Sequence, residues 1–195
     1  MDYTQRRQEQ GRETERKILS SALELMRERG FEKVSVRDIC KAAGITTGAF
    51  YHHFPSKEAL LESGFAPMDD HMRQALAGHE AEEPDRRLWR ILAAYARFME
   101  ESRELIGRYY QRRIAEPGSR PMDSSRYTLA AMLECFRQAE REGILAAGRT
   151  PEWVTEFCYR HFRGVVIDWV LHGYSYPLLP KMQEDYRLFA TLFHA

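Results

Sequence analysis

Apolar side chains recur at three- and four-residue intervals along almost the whole chain, and nowhere do they alternate over a strand-length run. A period of 3.6 belongs to the helix and a period of 2 to the strand. Ile18, Ala22, Leu25 and Met26 follow the helical period and predict a helix over 13–29. The same spacing marks a segment with Leu88, Trp89, Leu92, Tyr95, Phe98 and Met99, another over 103–115, and a third over 124–142. It returns in a long stretch from 151 to about 172 and in a last one with Met182, Tyr186 and Phe189. The chain is therefore expected to be all-α, with no strand and no internal repeat.

The breaks between these segments carry their own chemistry. Gly30 stands at the first helix exit, and Gly44 ends the next helix. Ser35 with Asp38 three residues on is a capping-box pattern, in which each side chain satisfies an orphan backbone N–H. Thr46 is placed to cap a third helix, which Pro55 stops. Ser56 with Glu58 opens a fourth. Thr150-Pro151-Glu152 combines cap, first-turn proline and first-turn acid. EPGSRPMD (116–123) and GYSYPLLP (173–180) read as breaks. The expected plan is a flexible tail over 1–12, a three-helix domain over 13–57 with a linker helix over about 57–66, and a helical domain over 67–195.

The stretch GITTGAFYHHF (44–54) holds the most chemistry per residue. With steps of about 100° from Thr46, Phe50 and Phe54 lie near 40° and 80°, beside the cap and the preceding Ile45. Thr47, Gly48, Tyr51 and His52 fall on the other side, at roughly 100–240°. The helix has an apolar back and a front of small or hydrogen-bonding groups. Adjacent histidines point about 100° apart, whereas two ligands for one ion from one helix need i, i+3 or i+4 spacing. No metal site is expected here, and no cofactor elsewhere.

Two short helices joined at Gly44-Ile45 match a helix-turn-helix, whose second helix enters the DNA major groove. Gly48 permits close backbone approach, and the Thr47 hydroxyl and methyl suit a base edge. Tyr51, His52 and His53 suit phosphate oxygens, as do Lys57 and the capped helix starts at Ser35 and Thr46. A three-helix miniature whose polar face is merely solvated is the alternative. Lys+Arg and Asp+Glu both number 29, which excludes a uniformly basic coat. Residues 1–57 carry 11 basic against 8 acidic residues, a local surplus of three.

Residues 31–61, FEKVSVRDICKAAGITTGAFYHHFPSKEALL, resemble the DNA-binding domain of the tetracycline-repressor (TetR) family. The resemblance rests on Gly30-Phe31, Val34 to Ile39, Ala42-Ala43-Gly44-Ile45, Gly48, Phe50-Tyr51, Phe54 and Ser56-Lys57-Glu58. It implies a ligand-regulated transcriptional regulator, usually a repressor, that binds a near-palindromic operator in double-stranded DNA as a homodimer. Thr47 and Gly48 would read bases. Ser35, Thr46, Tyr51, His52, His53 and Lys57 would hold phosphates. Many relatives carry a long basic residue where Thr47 stands, so direct guanine reading is not expected from this position.

Beyond residue 67 the resemblance is one of plan only. The helix from 151 is apolar on more than one side, so its cover extends beyond its own domain. Phe157, Val165, Trp169, Phe189 and Leu192 are the candidates for a two-fold interface; a deep monomer core is the alternative. Trp89, Tyr95, Phe98, Tyr109, Tyr110, Tyr127 and Phe136 are the candidates for a pocket that takes a small aromatic or hydrophobic effector. A regulator of the same fold with no small-molecule effector is the competing reading. An all-helical enzyme is more remote, because no nucleophile elbow, zinc-protease motif, phosphate loop or dinucleotide fingerprint occurs. Three scattered cysteines, a polar start and no membrane-length apolar run fit a cytoplasmic protein.

Overall fold

The structure, a computed structural model, describes residues 3–63, 66–115, 126–146 and 148–191. Among these residues ten α-helices and one 3-10 turn occur, and no strand. The helices are α1 (Tyr3–Arg29), α2 (Val36–Ala43), α3 (Thr47–His53), α4 (Ala59–Ser63) and α5 (Ala66–Leu76). After them come α6 (Pro84–Glu101), α7 (Arg103–Ala115), α8 (Tyr127–Arg141), α9 (Pro151–Leu171) and α10 (Leu178–Ala190), and the 3-10 turn covers Phe31–Lys33. The breaks at 116–123 lie outside the described residues.

The chain forms two compact units, Met1–Met68 with Glu104–Ala115, and Asp69–Arg103 with Glu116–Ala195. The core of the first unit joins Ile18, Ala22 and Met26 of α1 to Ile39 of α2, Phe50 of α3 and Leu60 of α4. These are the periodic positions of each helix, and they fix where the front of α3 faces. The turns follow the sequence. The Ser35 hydroxyl accepts the Asp38 N–H at 3.2 Å, and the Ser35 N–H donates to the Asp38 carboxylate at 2.9 Å. Gly44 adopts the left-handed conformation (φ 67°, ψ 35°) and lets α2 turn sharply into α3.

Two features differ from the sequence expectation. The first helix begins at Tyr3, so the tail foreseen over 1–12 is helical from its third residue. Residues 5–17 are rich in Gln, Arg and Glu, which favour helix, and none of them is buried. The second difference is α7, foreseen within 67–195, which groups with the first unit. Leu105 enters that unit's core. The Phe31 N–H donates to the Glu104 carboxylate at 3.2 Å, and Arg108 pairs with Glu32 at 2.8 Å.

The core of the second unit lies between α6, α8, α9 and α10. Leu88, Leu92 and Phe98 of α6, Met132 and Phe136 of α8, Phe162 and Val166 of α9, and Met182 of α10 are all buried, with α6 and α9 each packed on α8 and α10. Thr150 caps α9 by accepting the Trp153 N–H at 3.2 Å, with Pro151 at the first helical position. The Glu100 carboxylate accepts the Leu178 and Leu179 N–H groups at 2.8 and 3.2 Å, which ties the start of α10 to the end of α6. His161 of α9 lies 3.0 Å from Asp185 of α10.

Candidate nucleic-acid interface

The back of α3 is anchored and its front is open. Phe50 is fully buried and packs against Phe54, with ring centroids 5.8 Å apart. Thr46, Thr47, Gly48, Tyr51 and His52 are exposed together. The Thr46 hydroxyl accepts the Ala49 N–H at 3.1 Å and fixes the first turn. A Cβ on Gly48 would meet only the Thr46 hydroxyl oxygen, at 3.9 Å. That patch of surface is flat enough for another backbone or a base edge to approach. Tyr51 is 55% exposed, with its ring edge-on to Phe50, so its hydroxyl is carried on a braced ring.

The phosphate candidates divide into two groups. Tyr51 and His52 present free polar ends at the exposed front, and His53 is half-buried beside His52 with ring centroids 5.4 Å apart. Ser35 is exposed, but its hydroxyl is held in the capping box with Asp38. The same Ser35 groups keep the Asp38 carboxyl below its ordinary pKa. Lys57 is engaged differently. Its Nζ donates to the Phe31 and Val34 carbonyls at 2.8 and 3.1 Å and lies 4.2 Å from the Phe31 ring centre. Arg108 stands 4.9 Å from the centre of that ring. Lys57 therefore fastens the corner between α1 and α2 and has one N–H left for another acceptor. Sequence reasoning did not find Glu104 and Arg108 at this corner, because their partners are more than seventy residues away in the chain.

The pocket candidates also divide. Tyr95, Phe98 and Phe136 are buried in the second unit, Trp89 lies 5.2 Å from Tyr186, and Tyr127 takes the Arg73 guanidinium over its ring at 4.8 Å. Tyr109 and Tyr110 are on α7, in the first unit. Of the interface candidates, Val165, Trp169 and Phe189 are buried within their own unit, and Leu192 lies outside the described residues. Phe157 is 44% exposed and stacks on an equally exposed Trp153, 5.2 Å away with the rings 11° apart. Among the described residues no group of three or more His, Cys, Asp or Glu is placed to hold a metal ion, and no helix is long and apolar enough to cross a membrane.

A buried-back, open-fronted second helix after a glycine turn defines the first unit as a helix-turn-helix DNA-binding domain. Residues 18–63 match the sequence profile of the bacterial regulatory proteins of the tetR family, so this part of the chain is similar to the DNA-binding domain of that family. The domain is 43% identical over 56 residues to the HTH-type transcriptional regulator UidR of Escherichia coli K12, covering 29% of each chain. It is 50% identical over 52 residues to the transcriptional repressor KstR2 of Rhodococcus jostii RHA1, covering 27% of this chain and 24% of that protein. The matches thus span less than a third of these relatives. Across 89% of the chain the fold is similar to that of FadR from Thermus thermophilus, a TetR-family transcriptional repressor solved in complex with lauroyl-CoA. That similarity covers 91% of FadR, with 21% identity and a TM-score of 0.59.

Proposed function

We propose that the chain represses transcription as a cytoplasmic homodimer. Each α3 enters a major groove of a near-palindromic operator, and a small molecule in the second unit releases the DNA. The observation that carries this reading is the small, polar, exposed front of α3 on a fully buried back. Thr47 and Gly48 meet base edges there. Tyr51, His52 and His53 reach the phosphates on either side, helped by the helix starts at Ser35 and Thr46. Lys57 acts first as the fastener of the α1–α2 corner, and any phosphate contact uses its remaining N–H. No catalytic role is assigned.

Dimerisation is read from α9. Trp153, Phe157, Arg160, Gly164 and Leu171 are all exposed. On a helix they fall within roughly 60° of one another, in one stripe. A Cβ on Gly164 would meet nothing within 4 Å, so a second helix has room to come close at the centre of the stripe. Leu188 of α10 is also exposed. Exposed apolar surface of this kind favours association with a second copy. The effector is read as mainly aromatic or hydrophobic, held among Trp89, Tyr95, Phe98, Tyr127 and Phe136. Its support is their place in one helical unit and the likeness of that fold to FadR with its lauroyl-CoA.

Footprinting on the DNA flanking the protein's own gene tests the proposal. Protection of two related half-sites about one helical turn apart, or a multiple of it, is the expected result. A single unpaired half-site, or protection spread evenly over the fragment, would contradict it.

A further inference from the structure

Histidine is the side chain whose charge changes around neutral pH, and six of the seven histidines lie among the described residues. Three of them have a carboxylate beside them. His79 lies 3.1 Å from Glu82, His161 3.0 Å from Asp185, and His172 3.3 Å from Asp168. His71 rests against the Phe98 ring. The other two, His52 and His53, stand side by side in the last turn of α3. Among the described residues neither has a hydrogen bond or an ion pair. Their ring contacts are with each other and, for His53, with Phe54.

The neighbouring elements do not supply an anion for these two rings. Helix α2, which packs on α3, carries Arg37, Asp38, Cys40 and Lys41. Asp38 is taken up by Ser35 at the start of that helix. Burial raises the Cys40 thiol above its ordinary value, so it stays neutral where histidine titrates. Beyond α3, the Lys57 ammonium is held by the Phe31 and Val34 carbonyls. Backbone N–H donation and the Ser56 hydroxyl keep the Glu58 carboxyl below its ordinary value. Helix α1 meets the shared core through Ile18, Ala22 and Met26, which carry no charge. A protonated imidazole at the end of α3 therefore finds its counter-charge outside the protein.

We propose that His52 and His53 take up protons when the chain binds DNA, which makes operator affinity rise as the pH falls from about 8 to about 6. The inference rests on the reading of the α3 front as the DNA-facing surface and adds a regulatory input to it. A phosphate within reach of an imidazole favours its charged form, so each histidine that meets one is more protonated in the complex than in the free chain. The gain is complete below the ordinary histidine value of about 6.5 and is lost as the pH rises through the higher value in the complex. Each such histidine should add about threefold to tenfold to the affinity over this range and take up about half a proton near pH 7. The charged ring also displaces a counterion, so the slope of log K against log salt should be steeper at the acid end by about 0.9 for each.

Fluorescence anisotropy with the footprinted operator duplex and a scrambled duplex, from about pH 6 to about pH 8 at fixed salt, tests this range. Calorimetry in buffers of different ionisation enthalpy counts the protons taken up. The wild-type chain should bind the operator more tightly at the acid end, with proton uptake. The double variant His52→Gln, His53→Gln should lose both the pH response and the uptake. His79→Gln, in the second unit, should keep both. A pH response that survives in the double variant would overturn the proposal. So would a wild-type affinity that is constant with pH while the operator is still preferred over the scrambled duplex, and in that case the DNA-reading surface stands. No operator preference at any pH would fail the DNA-reading surface itself, and the proposal with it.

Discussion

Helices α3 and α9 are built alike and present opposite chemistry. Each buries an apolar back, Phe50 in α3 and Phe162, Val166 and Trp169 in α9. The front of α3 offers Thr47, Gly48, Tyr51 and His52, groups that water satisfies until a polar partner replaces it. The front of α9 offers Trp153, Phe157 and Leu171, which water does not satisfy. The contrast suits the two kinds of partner proposed for the chain, a hydrogen-bonding anion for α3 and an apolar surface for α9. A glycine opens the middle of each front, Gly48 in one and Gly164 in the other.

Removing the support of the α3 front should have the largest effect. Phe50→Ala leaves a cavity in the first unit's core and is expected to cost about 3–5 kcal/mol, read by urea unfolding, with loss of operator binding. Next comes the α9 front. Phe157→Glu places a charge in the apolar stripe and should weaken dimerisation by about 2 kcal/mol or more, read by sedimentation. The protomer's own fold should be little changed, since Phe157 is already half exposed.

Two smaller effects sharpen the contrast inside the first unit. Lys57→Met removes the donors to the Phe31 and Val34 carbonyls and should cost about 1–3 kcal/mol of stability. If its remaining N–H holds a phosphate, the slope of log K against log salt should also fall by about 0.9. Tyr51→Phe should instead weaken operator binding by about 0.5–1.5 kcal/mol with an unaltered unfolding temperature. The smallest effect belongs to the exposed pair Arg137–Glu152, 3.0 Å apart. Arg137→Ala should change stability by no more than about 1 kcal/mol.

Local chemistry was legible in the sequence. The Ser35–Asp38 capping box, the turn at Gly44, the Thr46 and Thr150 caps and the two-sided character of α3 each depend on residues within a few positions of one another. Matches to the start of α7 at Arg103 and of α9 at Pro151 have the same origin. Tertiary engagement was not legible. Lys57 carries a charge that suits phosphate, but its carbonyl partners lie 26 and 23 residues back in the chain. Glu104 meets the Phe31 N–H across 73 residues, which is how α7 joins the first unit. Along α9 the apolar residues exceed one face, and sequence alone does not say which of them the protomer itself covers. The structure buries Val165 and Trp169 and leaves Trp153 and Phe157 outside.

The most direct measurement is the affinity for the footprinted operator duplex as a function of salt, beside a scrambled duplex of the same length. Counterion release predicts that log K falls linearly with log salt, with a slope of about −0.9 per phosphate contact. The operator should stay tighter than the scrambled duplex throughout. Thr47→Ala should narrow that gap at one or two base pairs in each half-site while keeping the slope. A flat salt response, or equal affinity for the two duplexes, would contradict the assignment of the α3 front as the DNA-reading surface.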